Sequence, residues 1–174
     1  MSFWEEIAKA RNWFDLMRGA VGSLAIFGGH GIERSIGATS EGSGGGMVVL
    51  GVQATIVFIG LMIQVARRER GRGTLFAPIF YLAGVSVGLC GAWAALFGLV
   101  LAWALNPMLA SAAGFVVIEG LAITGFGLLL RGVGDPRPLL ACLFCLVPAL
   151  ISLLSRRPLV VFSRRASTEG AGEP

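Results

Sequence analysis

The chain has 174 residues, of which 55% are hydrophobic and only 14% charged, with 26 glycines and a net charge of +4. Soluble domains carry about 25% charged residues, so this composition excludes an ordinary water-soluble enzyme, and the length suits a single membrane unit over residues 1–174. Thirteen of the fourteen basic residues are arginine, and they flank apolar runs, which points to the positive-inside rule rather than to nucleic acid.

Residues 1–18 read as an amphipathic interfacial helix. Ser2 and Glu5 form a capping box. Phe3, Ile7, Ala10, Phe14 and Met17 recur at spacings of four and three, which lines them along one face. Trp4 and Trp13 suit the headgroup region. Lys9, Arg11 and Arg18 are balanced by Glu5, Glu6 and Asp15, so the segment is not polybasic, and no short apolar run leads to a signal-peptide cleavage site. Residues 19–32 are apolar but cover only about 21 Å as a helix, against a hydrocarbon core of about 30 Å. They form either a short re-entrant segment or part of a spanning helix that begins near Trp13. His30 lies there alone, read as solvated, and one histidine builds no multi-histidine metal site. Residues 39–46 have the composition of a flexible linker.

Residues 47–66 carry no charge and are expected to span. Gln53, Gly60 and Gln64 share a face, so the polar intramembrane residues Gln53 and Gln64 should meet protein rather than lipid. Residues 67–73 hold four arginines, the strongest topology marker in the chain, and belong in the cytoplasm. Residues 74–105 are again uncharged. They read as one long transmembrane helix, tilted or beginning in the interface before Pro78. Gly84, Gly88, Gly91, Ala95, Gly98 and Ala102 form a small-residue stripe along it, with Leu89 outside the stripe. Asn106-Pro107 breaks the run.

Residues 108–130 answer with Ala110, Ala113, Val117, Gly120, Thr124 and Gly127. Close backbone approach supplies packing where no hydrophobic drive exists between helices in lipid, so the two stripes should meet across a tight turn. Residues 131–137 form a short loop, expected on the cytoplasmic side with residues 67–73. Residues 138–154 are just long enough to span and carry Pro148, with Cys142, Cys145, Ala149 and Ser152 on a small face. Residues 156–174 are a polar tail opening on Arg156, Arg157, Arg164 and Arg165. Three crossings after a cytoplasmic residue 73 would place this arginine-rich tail outside, against the charge rule. Either the last segment crosses regardless, or it is re-entrant.

Glu119 is the one acid deep in a span, where a charge costs at least about 2.5–3.5 kcal/mol on insertion scales. It is either a proton or ion site or a neutral acid bonded across a helix interface. It lies about 100° from Gly120, beside the seam, facing a third helix, a partner or lipid. Residues 117–130, from Val117-Ile118-Glu119-Gly120 to Leu128-Leu129-Leu130, resemble the carboxylate helix of rotary ATP synthase proteolipids, which pair a glycine-striped helix with one carrying a mid-membrane acid. The resemblance covers the two striped segments only. It implies that Glu119 is the proton or sodium site. The family's polar hairpin loop is replaced here by Leu105-Asn106-Pro107-Met108, so the likeness is one of arrangement.

Two literal motifs read as packing. Gly84-Val85-Ser86-Val87-Gly88 matches G-x-S-x-G, but a hydrolase elbow needs a strand-turn-helix and a nearby histidine. Cys142-Leu143-Phe144-Cys145 resembles the redox pair of vitamin K epoxide reductase-like enzymes, which need a second, external pair, and Cys90 stands alone. Three cysteines inside apolar runs are not a disulfide framework.

The sequence therefore predicts an all-α, polytopic integral membrane helical bundle of about four transmembrane helices, with a possible fifth short one and an N-terminal interfacial helix. Helix-packing residues are Gly84, Gly88, Gly91, Ala95, Gly98, Gly120 and Gly127, and Glu119 is the ion or proton candidate. No catalytic set, metal site or cofactor site can be assembled. The expected partners are the lipid bilayer and other membrane subunits or copies of the chain, not nucleic acid. Abundant Gly, Ala and Arg suggest a GC-rich genome and a bacterial inner (cytoplasmic) membrane. The expected role is that of a non-enzymatic subunit or assembly protein of a larger membrane complex. The alternative is a small proton- or ion-coupled carrier using Glu119.

Overall fold

The structure, a computed structural model, describes residues 9–28, 43–66, 75–109 and 111–160. The expectations for residues 1–8, His30, residues 39–42 of the linker, the arginine run 67–73 and the tail beyond 160 lie outside them, while residues 43–46, expected in the linker, are helical. Among the described residues there are six helices, namely α1 (Ala10–Phe27), α2 (Ser43–Val65), α3 (Ile79–Cys90), α4 (Ala92–Leu105), α5 (Ala112–Arg131) and α6 (Arg137–Ser155). A 3-10 turn at Asn106–Met108 and two short strands, β1 (Leu75–Phe76) and β2 (Leu159–Val160), complete the chain. Three helices, α2, α5 and α6, are long and apolar enough to cross a membrane, while α3 and α4 are apolar but shorter.

α1 runs unbroken through the boundary expected near residue 18, so the short apolar segment continues the helix that carries Trp13. Its inward face is also not the expected one. Asn12, Gly19, Ser23 and Phe27 are buried, while Phe14 and Met17 are exposed. Small residues turn inward because they let two backbones approach. A Cβ added to Gly84 would strike the Leu16 carbonyl, and one on Gly88 would strike Ser23. Ser23 Oγ lies 3.1 Å from Ala20 O and 3.2 Å from Gly84 O, donating within α1 and across to α3. The register advances together, Gly19 beside Gly84 and Ser23 beside Gly88, so α1 and α3 are parallel.

α3 is the central helix. All its residues except Tyr81 and Val87 are buried, as expected of a helix that is apolar all round. Leu89, expected outside the packed stripe, is fully buried, because neighbours surround α3 rather than meeting it along one stripe.

The expected single helix over residues 74–105 is two helices that meet at Gly91, with φ +94° and ψ 159°, a region open essentially to glycine alone. The chain reverses there. α3 starts just after β1, which pairs in parallel with β2, Leu75 opposite Leu159, and β2 follows the C-terminus of α6. The other end of α3 brings the Cys90 thiol and Pro138, at the start of α6, against Gly127. From Gly91, α4 returns along α5, with Gly98 against Ile123 and the Trp103 and Phe115 rings 5.2 Å apart edge to face. α5 and α6 are antiparallel, from Gly127 at Pro138 to Gly120 at Cys145.

This reversal changes which segments share an end. The strand end holds β1, β2, the turn at Asn106–Met108 and the start of α1, where the Arg11 guanidinium lies 4.9 Å over the Phe76 ring. α2 runs against α1, with Gln53 Nε2 donating to Ile26 O near the far end and Gly60 beside the Tyr81 hydroxyl nearer the strands. Ala66 and Leu75, which flank the arginine run, are therefore both at the strand end. Arg131 and Arg137 lie at the opposite end, around the Arg131–Asp135 ion pair at 3.4 Å. The residues that bound 67–73 thus lie at the end opposite 131–137, where the expectation had the two segments on one side. Arg156 and Arg157, which follow α6, fall at the strand end with Ala66 and Leu75.

Candidate functional site

Glu119 sits in the middle of α5, on the side that packs against α4. The buried residues of α5 are Phe115, Val116, Glu119, Gly120, Ile123, Thr124 and Gly127, a recurrence of pairs every three to four residues that puts two seams side by side. Phe115 and Ile123 face α4, through Trp103 and Gly98. Gly120 and Gly127 face α6, and a Cβ on Gly120 would come within 2.6 Å of Cys145 Cβ. Glu119, four residues from each of Phe115 and Ile123, lies on their α4-facing side, about 100° from Gly120 and the α6 seam. Of the three orientations open at the sequence level, the structure places it toward protein.

The carboxyl is entirely buried, at 0% exposure, and neither oxygen has a hydrogen-bond partner among the described residues. Thr124, one turn along, spends its hydroxyl on Gly120 O at 2.7 Å and Pro138 O at 3.1 Å. That bond ties α5 to the first turn of α6 and leaves the carboxyl alone. An ionised carboxylate in such surroundings would be unsolvated and uncompensated, so the arrangement suits the neutral acid.

The remaining candidates separate. Gly84 and Gly88 contact α1, while Gly98, Gly120 and Gly127 serve the α4–α5 and α5–α6 contacts. The expected meeting of two stripes is therefore distributed over three helix pairs. Ala95 is buried in α4, and Gly91 is the corner. Gln53 is half-buried with its Oε1 unpartnered, and Gln64 is buried. Ser86 Oγ donates to Leu82 O at 2.9 Å within its own helix, which leaves the G-x-S-x-G match no activated hydroxyl. Cys90, Cys142 and Cys145 are free thiols, two of them buried. No three carboxyl, thiol or imidazole groups cluster as metal ligands among the described residues.

Sequence reasoning missed Ser23, the polar link between α1 and α3. Its signal was present as Gly19 and Ser23 four apart in an apolar segment, but the segment read as a separate short element. Comparisons with protein-family models, curated proteins and solved structures give no match.

Proposed function

We propose that the chain is a multi-pass protein of a bacterial inner membrane, without chemistry of its own, that works as a subunit or assembly factor of a larger membrane complex. The observation that carries this reading is α2. Toward its own chain it buries Val57, Leu61, Gln64 and Val65, while Val48, Val49, Val52, Ile56, Ile59 and Ile63 face outward. The helix is apolar on every side, yet its own chain covers little of it. Lipid can cover such a surface, and so can the helices of another subunit, since lipid tails are no less apolar than leucine and the choice rests on packing.

The strand end belongs in the cytoplasm in this reading. Arg11, Arg156 and Arg157 lie there with Ala66 and Leu75, between which the sequence carries four more arginines, and the opposite end carries Arg131 and Arg137 around Asp135. The excess of arginine then lies inside. Purification from native membranes followed by intact-complex mass measurement tests the role. Stoichiometric co-purifying membrane proteins are the expected result. A lone homo-oligomer would overturn the subunit reading in favour of a carrier.

A further inference from the structure

The charged groups not absorbed above lie along the first helix. Arg11, Asp15 and Arg18 are spaced four and three apart, which sets them on one stripe of α1. Arg11 and Arg18 are exposed and Asp15 is partly so, and none of the three has an ion pair among the described residues. Gly22 is next on the stripe, with nothing within 4 Å of where a Cβ would stand. The stripe begins at the strand end, where Arg11 lies over Phe76. Asn12 and Asp15 border a water-sized cavity of about 10 Å³ there, shared with Phe76 and Tyr81.

Arg18 is far from that end. Its neighbour Gly19 touches Gly84 of α3, and Gly84 lies about 9 Å before Cys90, whose thiol meets Gly127 of α5. The same length along α5, from Gly127, leads to Leu121, halfway along that helix. Arg18 therefore leaves α1 level with the middle of a helix long enough to cross the membrane. Helical side chains lean toward the N-terminus, here the strand end, so the guanidinium reaches back toward the level of Asp15 with its stem on the helix. The N-cap residue Lys9 is still about 9 Å further out. A cation exposed at this depth, with no acid paired to it, needs an anion brought to it.

We propose that this stripe is a docking site for an anionic phospholipid of the strand-side leaflet, held with its phosphate on Arg18 and its acyl chains toward Gly22. Charge decides the occupant. Two arginines against one aspartate leave one positive charge, which a single phosphodiester neutralises. The planar guanidinium fork matches two phosphate oxygens, and Asp15, between the arginines, accepts from a headgroup hydroxyl. The arginines also form a line from the strand end inward, so a headgroup meets Arg11 at the surface and Arg18 at depth. A partner helix carrying a lone acid would need Arg18 only. Beyond Arg18 the stripe turns apolar, with open space at Gly22 and an exposed Ala25. The site takes from the reading above only that the chain lies in a bilayer, and it suits a subunit and a carrier alike.

The test uses the full-length protein in mild detergent, mixed with equal amounts of phosphatidylglycerol and phosphatidylcholine, with retained lipids counted by native mass spectrometry. The parent should keep phosphatidylglycerol in preference. Arg18→Gln should weaken that binding about tenfold, as expected for loss of a charge-assisted hydrogen bond. Arg137→Gln, at the other end, removes the same charge and should bind like the parent. Equal retention by the parent and Arg18→Gln, or an equal loss in Arg137→Gln, overturns the proposal. Should Arg18→Gln fail to fold, Arg18→Lys keeps the charge but not the fork, and its binding should also weaken. Unchanged binding in that variant overturns the site. Purification from native membranes supplies the remaining outcome. Loss of a membrane protein from Arg18→Gln, with phosphatidylglycerol retention unchanged, assigns Arg18 to a protein partner and overturns the lipid site.

Discussion

Two glycines show how far a residue's meaning depends on backbone conformation. Gly91 and Gly125 are both set in apolar sequence, but Gly91 has φ +94° while Gly125 is mid-helix, with open space where a Cβ would go. Gly91→Ala should therefore destabilise the fold by about 1–3 kcal/mol. Gly125→Ala should be neutral or stabilise it by about 0.5–1 kcal/mol, because alanine loses less conformational freedom in a helix. Reversible unfolding by denaturing detergent in mixed micelles measures both, and equal effects would contradict the corner. The sequence marked Gly91 only as one member of a small-residue stripe, since spacing counts positions around a helix and carries no φ. Glu119 was legible for the opposite reason: an acid stands out in an apolar run whatever the fold. Its unpartnered state was not legible, because that depends on which side chains the neighbouring helices bring to that face of α5.

At the level of elements, hydropathy located α2, α5 and α6 to within a few residues, since each is a long apolar run closed by charge or proline. It could not divide residues 74–105, because two short apolar helices and one long one have the same composition. The packing consequence is testable. Leu89 is fully buried, whereas Leu96 in α4 is 48% exposed. Leu89→Ala should cost about 2–5 kcal/mol through the cavity it leaves, and Leu96→Ala should cost little, by the same unfolding measurement. Gly84→Leu should separate α1 from α3, because the Leu16 carbonyl and Ala20 backbone occupy the space a side chain needs. The expected cost is about 1–3 kcal/mol or more. A Gly84→Leu protein as stable as the parent would show that the α1–α3 contact contributes little.

For the whole molecule, the corner fixes which loops share a side. Met108 and Arg156 lie at the strand end and Val133 at the other, and Met108 and Val133 are more than four-fifths exposed at 82% and 85%. In a cysteine-free background, a membrane-impermeant thiol reagent applied to intact cells should label Val133→Cys and spare Met108→Cys and Arg156→Cys. Opposite behaviour of Met108→Cys and Arg156→Cys would mean that residues 74–105 cross once. The sequence came close to this result. A turn at Gly91 would reverse the side to which that topology assigned the arginine tail, but charge alone could not say where in the apolar run such a turn lies.

That turn has a counterpart in how the chain is made. In the proposed orientation, insertion machinery meets residues 74–105 as one uninterrupted apolar passenger, with nothing in its hydropathy to signal a halt midway. The parity of every later crossing then rests on whether the chain turns at a single glycine. A variant that ran straight through Gly91 would keep α5 and α6 just as insertable and invert both of them, delivering Arg156 and Arg157 to the wrong compartment. Selection at Gly91 would then act on the handling of the nascent chain before any contact in the finished bundle could form.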